Sequence, residues 1–358
     1  MTRFCITVLL AMGCCGVSMF SQVAGETVNG IEKTVTRYLD SLDVAGISVS
    51  VIHHDTIIFQ KSFGFANLES DVLMTNSSVY RIWSVSKQFC AISVLKLAQE
   101  GQLKSSDPIE KHLDSIPKTW KNITIRQLLG HTSGIKDYMN DFPEGRSPFS
   151  YPFNVVMDST RILKFDPGTQ WSYSNTGYWV LAKIIERVTG QSYEEYLVEN
   201  CFMPLKMYHT QKNNFSKIIE NRVSGYETVN GEIRNASRYW DERYTAEGDG
   251  ELMSTLDDLT LWTRALVSGA MIEPSLLKEA WEPAHYNSGA RVSASSVIYY
   301  DTKVSYGMGW FISEMNGEKI VWTPGAGIGF STCLLSVPDP DLHIIVLCND
   351  GRFLLADS

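Results

Sequence analysis

Between Gly46 and Ser70 the chain reads GISVSVIHHDTIIFQKSFGFANLES, with apolar and polar residues alternating on both sides of His54-Asp55. A period of two on either side of a short polar break predicts a β-hairpin. Just upstream, ETVNGIEKTVTRYLDSL places Ile31, Val35, Tyr38, Leu39 and Leu42 near helical spacing. Alternation returns at the far end in YGMGWFISEM, EKIVWTPG, GFSTCLLSVPD and DLHIIVLCND, the first two separated by Asn316-Gly317, a pair suited to a tight hairpin turn. From about Lys87 to Asn287, helical spacing and loops dominate. Strands at both ends with helices between predict an α/β (α+β) fold: an antiparallel sheet built from both termini, flanking helices and a mostly helical insertion. The sheet subdomain is expected at about 26–85 and 300–358 and the helical subdomain at about 86–299, with a site at the seam.

Composition narrows the classes of function. With 44% hydrophobic and 20% charged residues, the 358-residue chain can bury a large core. A formal net charge of −9 and the lack of any Lys/Arg run exclude a nucleic-acid footprint and favour a small-molecule or peptide-like partner. The first 25 residues combine Arg3, an apolar run from Phe4 to about Phe20, and the small residues Val23, Ala24 and Gly25. That pattern predicts a signal peptide cut near Gly25 and export of residues 26–358 to a periplasm or the extracellular space, with no stable membrane span afterwards. Cys90, Cys201, Cys333 and Cys348 would remain, too scattered for a disulfide framework, though Cys333 and Cys348 flank SVPDPDLH and could face each other across a hairpin. His53-His54 has no Cys or carboxylate at ligand spacing, so neither a metal site nor a cofactor is expected.

Candidate chemistry begins at RIWSVSKQFCAISVLKLAQEG, where Ser84 precedes Lys87 by three residues at the mouth of an apolar helix. Residues i and i+3 share a helix face, and burial there disfavours the ammonium and offers a neutral amine as a base for the hydroxyl. The bland alternative is that Ser84 caps the helix and Lys87 is solvated. Ser115/Lys118 and Ser275/Lys278 repeat the spacing, but the first contains Pro117 and the second opens an amphipathic helix with Lys278 toward water. In FDPGTQWSYSNTGYWVLAKIIERVTG, Tyr173 and Asn175 stand two apart in an extended turn before a helix starting near Gly177, so both can face one cleft. In VWTPGAGIGFSTCLL, Gly325, Gly327 and Gly329 allow close approach of a substrate to strand backbone. Trp83, Trp171 and Tyr178 are candidates to line or support the cleft.

Ser84-x-x-Lys87, Tyr173-x-Asn175 and Thr323-Pro324-Gly325, in this order, resemble the motifs of the class C β-lactamase and DD-peptidase-like family of serine hydrolases, the β-lactamase-related, penicillin-binding-protein-like group. ITIRQLLGHTSGI, FDPGTQWSYSNTGY, FMPLKM, GDGELMSTLDDLTLW and YGMGW also look like that family, so the likeness runs from about residue 30 to 350. It implies a β-lactamase/transpeptidase-like fold and an acyl-enzyme mechanism. Ser84 would attack a carbonyl, Lys87 and Tyr173 would share proton transfer, and Asn175 would orient Lys87 or a substrate amide. The N–H groups of Ser84 and Ala326 would form the oxyanion hole. His131, in LLGHTSGI, would be structural despite its resemblance to a catalytic histidine. One departure matters: Thr323 and Pro324 stand where the family usually has Lys or His and then a small residue. Loss of that cation argues against carboxylate-bearing substrates and for neutral esters or amides. The alternative is a ligand-binding protein of the same fold, catalytically weak because of Thr323.

Overall fold

The computed structural model describes residues 20–42, 44–141, 152–214, 216–236, 246–294 and 304–351. Its strands in chain order are β1 (Gly46–His53), β2 (Thr56–Asn67), β3 (Val72–Leu73), β4 (Tyr80–Arg81), β5 (Gln211–Lys212), β6 (Tyr226–Val229), β7 (Glu232–Asn235), β8 (Leu252–Ser254), β9 (Ser305–Tyr306), β10 (Phe311–Met315), β11 (Glu318–Gly327), β12 (Phe330–Val337) and β13 (Leu342–Cys348). The α-helices are α1 (Phe20–Leu42), α2 (Ser86–Gln99), α3 (Ile125–Leu129), α4 (Phe153–Ser159), α5 (Asn175–Thr189), α6 (Tyr193–Leu197), α7 (Leu256–Val267) and α8 (Pro274–Ala280).

Both chain ends meet in one eight-stranded antiparallel sheet ordered β3-β2-β1-β13-β12-β11-β10-β9. The first long strand therefore lies beside the last, with Val49 opposite Val346 and Val51 opposite Ile344. A second sheet, β4-β8-β5, leads the chain toward Ser84. Two apolar cores form: Ile31 and Val35 of α1 pack with Ile47, Val49 and Val51 in one, and α2, α5 and α7 share the other.

The hairpin predicted around His54-Asp55 is present, but its alternation hides a second buried face. Ser48 and Ser50 are both fully buried, because α7 and β4 cover the side of β1 that the pattern marks as polar. Ser48 Oγ sits 2.7 Å from Tyr80 Oη and 2.8 Å from Ser62 Oγ, and Ser50 Oγ accepts from Thr260 Oγ1 at 3.1 Å. Hydroxyl pairing thus removes the cost of burying polar groups. The Cys333/Cys348 expectation is corrected by strand register: Val337 faces Leu342, which brings Cys333 opposite Val346 and Cys348 opposite Ser331. Among the described residues, Cys90, Cys201, Cys333 and Cys348 are buried and in no disulfide. The cut expected near Gly25 falls inside α1, and no helix among the described residues is long and apolar enough to cross a membrane.

α2 is buried nearly all round, the mark of a core helix rather than a surface one. Phe89 stacks on Trp262 of α7 with ring centroids 4.0 Å apart, and the Trp262 indole N–H donates to Gln88 Oε1 at 3.0 Å. These contacts hold the first turn of α2, and with it Lys87, from below. Trp262 is fully buried, so Trp262→Ala should cost about 3–5 kcal/mol of unfolding free energy in urea titration.

Candidate active site

Ser84 does not cap α2. It lies in a 3-10 turn, Trp83–Val85, that precedes the helix, and the helix start has no side-chain cap. Its hydroxyl is instead free to meet the Lys87 amine at 3.2 Å. The rival pairs behave as expected: Ser115, Lys118, Ser275 and Lys278 are all exposed.

Lys87 is fully enclosed. Its Nζ donates to Asn175 Oδ1 at 2.7 Å and to the Asp249 carbonyl at 2.6 Å, besides the contact with Ser84 Oγ. The rings of Tyr173 and Tyr178 complete the shell, with centroids 4.9 Å and 5.5 Å away. The two oxygens from Asn175 and Asp249 can only accept, whereas a serine hydroxyl can accept or donate. An ammonium therefore uses all three contacts as donor. A neutral amine gives its two N–H bonds to Asn175 and Asp249 and leaves its lone pair facing Ser84. Ser84 and Tyr173 are half-buried while Lys87 and Asn175 are buried, so the two hydroxyl-bearing side chains stand at the front of the cleft and the amine behind them.

Tyr173 and Asn175 are brought together as predicted, although α5 begins two residues earlier than the glycine expected to start it. Ser174 is the N-cap, extended at φ −143°, and accepts the Gly177 N–H. The segment 131–138 then holds 172–176 from beneath. The His131 carbonyl accepts Ser172 N–H at 3.0 Å, and His131 Nδ1 accepts Ser174 N–H at 3.2 Å. The Tyr138 N–H donates to Thr176 Oγ1 at 2.9 Å. With Nδ1 accepting, the neutral imidazole carries its proton on Nε2. Burial, aided by the Lys87 charge, pushes the His131 pKa well below its ordinary value. The ring wedges against Tyr173, Tyr306 and Tyr178 at 4.3, 4.6 and 5.1 Å between centroids. This is the packing of a support, as the sequence reading expects.

Two site residues escape that reading. Asp137 Oδ1 accepts both the backbone N–H and the side-chain amide of Asn175, each at 3.1 Å. The contact fixes which end of the Asn175 amide faces Lys87. Burial raises the Asp137 pKa, while N–H donors from Asn175 and Met139 and the Lys87 charge pull against it. In HTSGIKDYM the Asp137 carboxylate follows Lys136 and carries no cue that sets it apart from a surface acid. Asp249 contributes a main-chain oxygen, which no residue type announces; its side chain accepts from Tyr138 Oη at 2.5 Å. Nearby Glu251 is pushed up to about 7, by burial first and by the Asp249 charge second.

β11 borders the cleft. At Gly325 a Cβ would fall 2.1 Å from Ile82 O and 2.3 Å from Thr332 Oγ1, so only glycine lets the strand run this close to the turn carrying Ser84. The following Ala326 is exposed. Thr323 is 3% exposed, and its hydroxyl donates to Gly309 O at 3.2 Å. It therefore presents neither charge nor a free hydroxyl to the cleft. Pro324 lies past the last β10–β11 pair, Phe311 with Trp322, where no ladder bond from β10 is needed and proline is tolerated. Trp83 is buried rather than lining the cleft. Tyr178 is a support too: it is fully buried, and its hydroxyl donates to Leu129 O at 3.0 Å. No cluster of three metal-binding side chains occurs among the described residues.

The sequence model of the Beta-lactamase family matches residues 31–354. Protein flp of Staphylococcus aureus strain N315 is 28% identical over 345 residues, covering 92% of this chain and 64% of that protein. Penicillin-binding protein 4* of Bacillus subtilis strain 168 is 28% identical over 310 residues, covering 82% of this chain and 65% of that protein. The chain thus spans a little under two thirds of the length of these relatives. Among solved structures, the octameric penicillin-binding protein homologue from Pyrococcus abyssi superposes with a TM-score of 0.78 at 26% identity, covering 92% of this chain and 76% of that one. With the family model matched over residues 31–354, this chain belongs to the Beta-lactamase family.

Proposed function

We propose that this protein is an exported hydrolase that forms an acyl-enzyme on Ser84 and cleaves a small neutral ester or a peptide-like amide. The observation that carries the reading is the enclosed Lys87 amine, 3.2 Å from the Ser84 hydroxyl and held by two oxygens that can only accept. With the neutral amine, Ser84 O–H donates to the lysine lone pair as Oγ attacks the substrate carbonyl. A C–O bond forms to serine, and the negative charge on the carbonyl oxygen is met by the N–H groups of Ser84 and Ala326. Collapse breaks the bond to the leaving group, which takes the serine proton through Lys87 and Tyr173. Water then attacks the acyl carbonyl while giving a proton to the same groups, the bond from that carbon to Ser84 Oγ breaks, the acid leaves, and Oγ takes up the proton from water. His131 has no part in proton transfer, because its accepting nitrogen is already bonded to the Ser174 N–H.

Substrate preference follows from Thr323. With no cation at that position and the hydroxyl turned to Gly309, the cleft offers β11 nothing to pair with a substrate carboxylate, which favours uncharged acyl groups. The penicillin-binding names of the relatives keep β-lactams among the compounds to test.

A fluorophosphonate probe and a fluorescent penicillin, each applied to wild type and Ser84→Ala, test the proposal. Labelling by the fluorophosphonate, lost in Ser84→Ala, is the expected result. A folded wild type that reacts with neither probe would establish the ligand-binding alternative. Thr323→Lys should increase acylation by the fluorescent penicillin, and unchanged reactivity would mean that the third motif lies elsewhere. Asp137→Asn replaces an acceptor with a donor facing the Asn175 amide. Its fluorophosphonate labelling rate should fall by about a hundredfold, the scale of a misplaced reacting group, in a protein that retains its wild-type circular dichroism spectrum.

A further inference from the structure

The residue before Ser84 holds an unusual backbone. Trp83 has φ +48°, in the left-handed region that bulky residues rarely adopt. Such a conformation persists only where the surroundings over-determine it, and here they are specific. The Arg81 guanidinium carbon lies 3.5 Å from the centre of the indole. Arg81 is itself 4% exposed and is fixed on β4 opposite Met253 of β8. Gly327, the last residue of β11, approaches the same ring so closely that a Cβ there would fall 2.3–2.6 Å from three indole carbons. The indole is thus packed against both the Arg81 guanidinium and the bare backbone of Gly327.

Trp83 and Gly327 are the sequence neighbours of Ser84 and Ala326, the two residues whose N–H groups would meet the oxyanion. A second tie registers the same two segments: the Thr332 hydroxyl lies 2.9 Å from Ile82 O and 3.2 Å from Gly325 O. Segment 82–84 and segment 325–327 are therefore joined at two points, one polar and one apolar, flanking the donors. An oxyanion hole works only when both donors reach the charged oxygen, at about 2.7–3.1 Å. The separation of the two segments is then a catalytic dimension.

We propose that the Trp83 indole is the spacer that sets the gap between the Ser84 and Ala326 N–H groups, making Trp83 a positioning residue for the oxyanion; the inference rests on the acyl-enzyme reading above. The left-handed turn is what lets the chain leave β4, seat a large ring against β11 and enter α2 within a few residues.

Trp83→Phe thins the spacer and Gly327→Ala drives a methyl into it from the strand side. Both are to be assayed with p-nitrophenyl butyrate and for inhibition by a trifluoromethyl ketone, which mimics the tetrahedral oxyanion. The expected result for each is a kcat lowered at least about tenfold and a matching loss of trifluoromethyl ketone affinity, with KM little changed. A merely structural role would not separate inhibitor affinity from KM. A folded Trp83→Phe with wild-type kcat and inhibitor affinity overturns the inference. If Trp83→Phe does not fold, wild-type kcat in Gly327→Ala overturns it instead. A wild-type protein whose Ser84 fails to react with the fluorophosphonate overturns the hydrolase reading as well, whereas a reactive wild type with unimpaired variants overturns the spacer alone.

Discussion

A lysine amine cut off from water needs an acceptor for each N–H, or it must give up a proton. Lys87 resolves this with one amide oxygen, one main-chain carbonyl and one hydroxyl. Of the three, only the hydroxyl can reverse the direction of its bond. That asymmetry singles out Ser84 Oγ as the one partner able either to accept from the Lys87 amine or to donate to it, and the surrounding contacts hold the arrangement. Asp137 fixes the orientation of the Asn175 amide, Tyr138 holds the side chain of Asp249, and the Phe89–Trp262 stack anchors the helix that carries the amine.

The partners arrive from distant parts of the chain. Asn175 lies 88 residues beyond Lys87 and Asp249 lies 162 beyond it. Neither helix propensity nor local sequence can supply such a constellation. It exists because α5 packs against α2, because the Leu252 N–H donates to Ser86 Oγ and ties β8 to the start of α2, and because the glycine at 325 lets β11 close against the turn before α2. Core packing and chemistry are thus the same set of contacts, which is why a bulky Trp83 can be kept in a backbone conformation it would avoid alone.

Much of this was legible beforehand, for identifiable reasons. Period-two alternation exposed β1, β2 and β10–β13, and side chains with distinctive chemistry exposed Ser84, Lys87, Tyr173 and Asn175. Failures occurred where the signal is not carried by residue type. The carbonyl of Asp249 has no letter in a sequence. Ser48 and Ser50 read as a solvent face because hydroxyls satisfied by Tyr80 and Thr260 look the same as hydroxyls satisfied by water. Cys333 and Cys348 flank one turn and could face each other on that ground alone, yet pairing outward from Val337 and Leu342 separates them by two positions. Asp137, directly after Lys136, reads like a surface acid. The left-handed φ of Trp83 has no signal either, since nothing about tryptophan invites it.

The pairing of β1 with β13 also governs when the molecule can come into being. At ribosomal speeds of about 5–20 residues per second, the strand ending at His53 waits roughly 15–60 seconds for the one starting at Leu342, with its hydrogen-bonding edge untenanted. The eight-stranded sheet can close only after β13, which ends at Cys348, has been synthesised. Until then Ser84 has no neighbour from β11, and the pocket of contacts around Lys87 is a late product of folding.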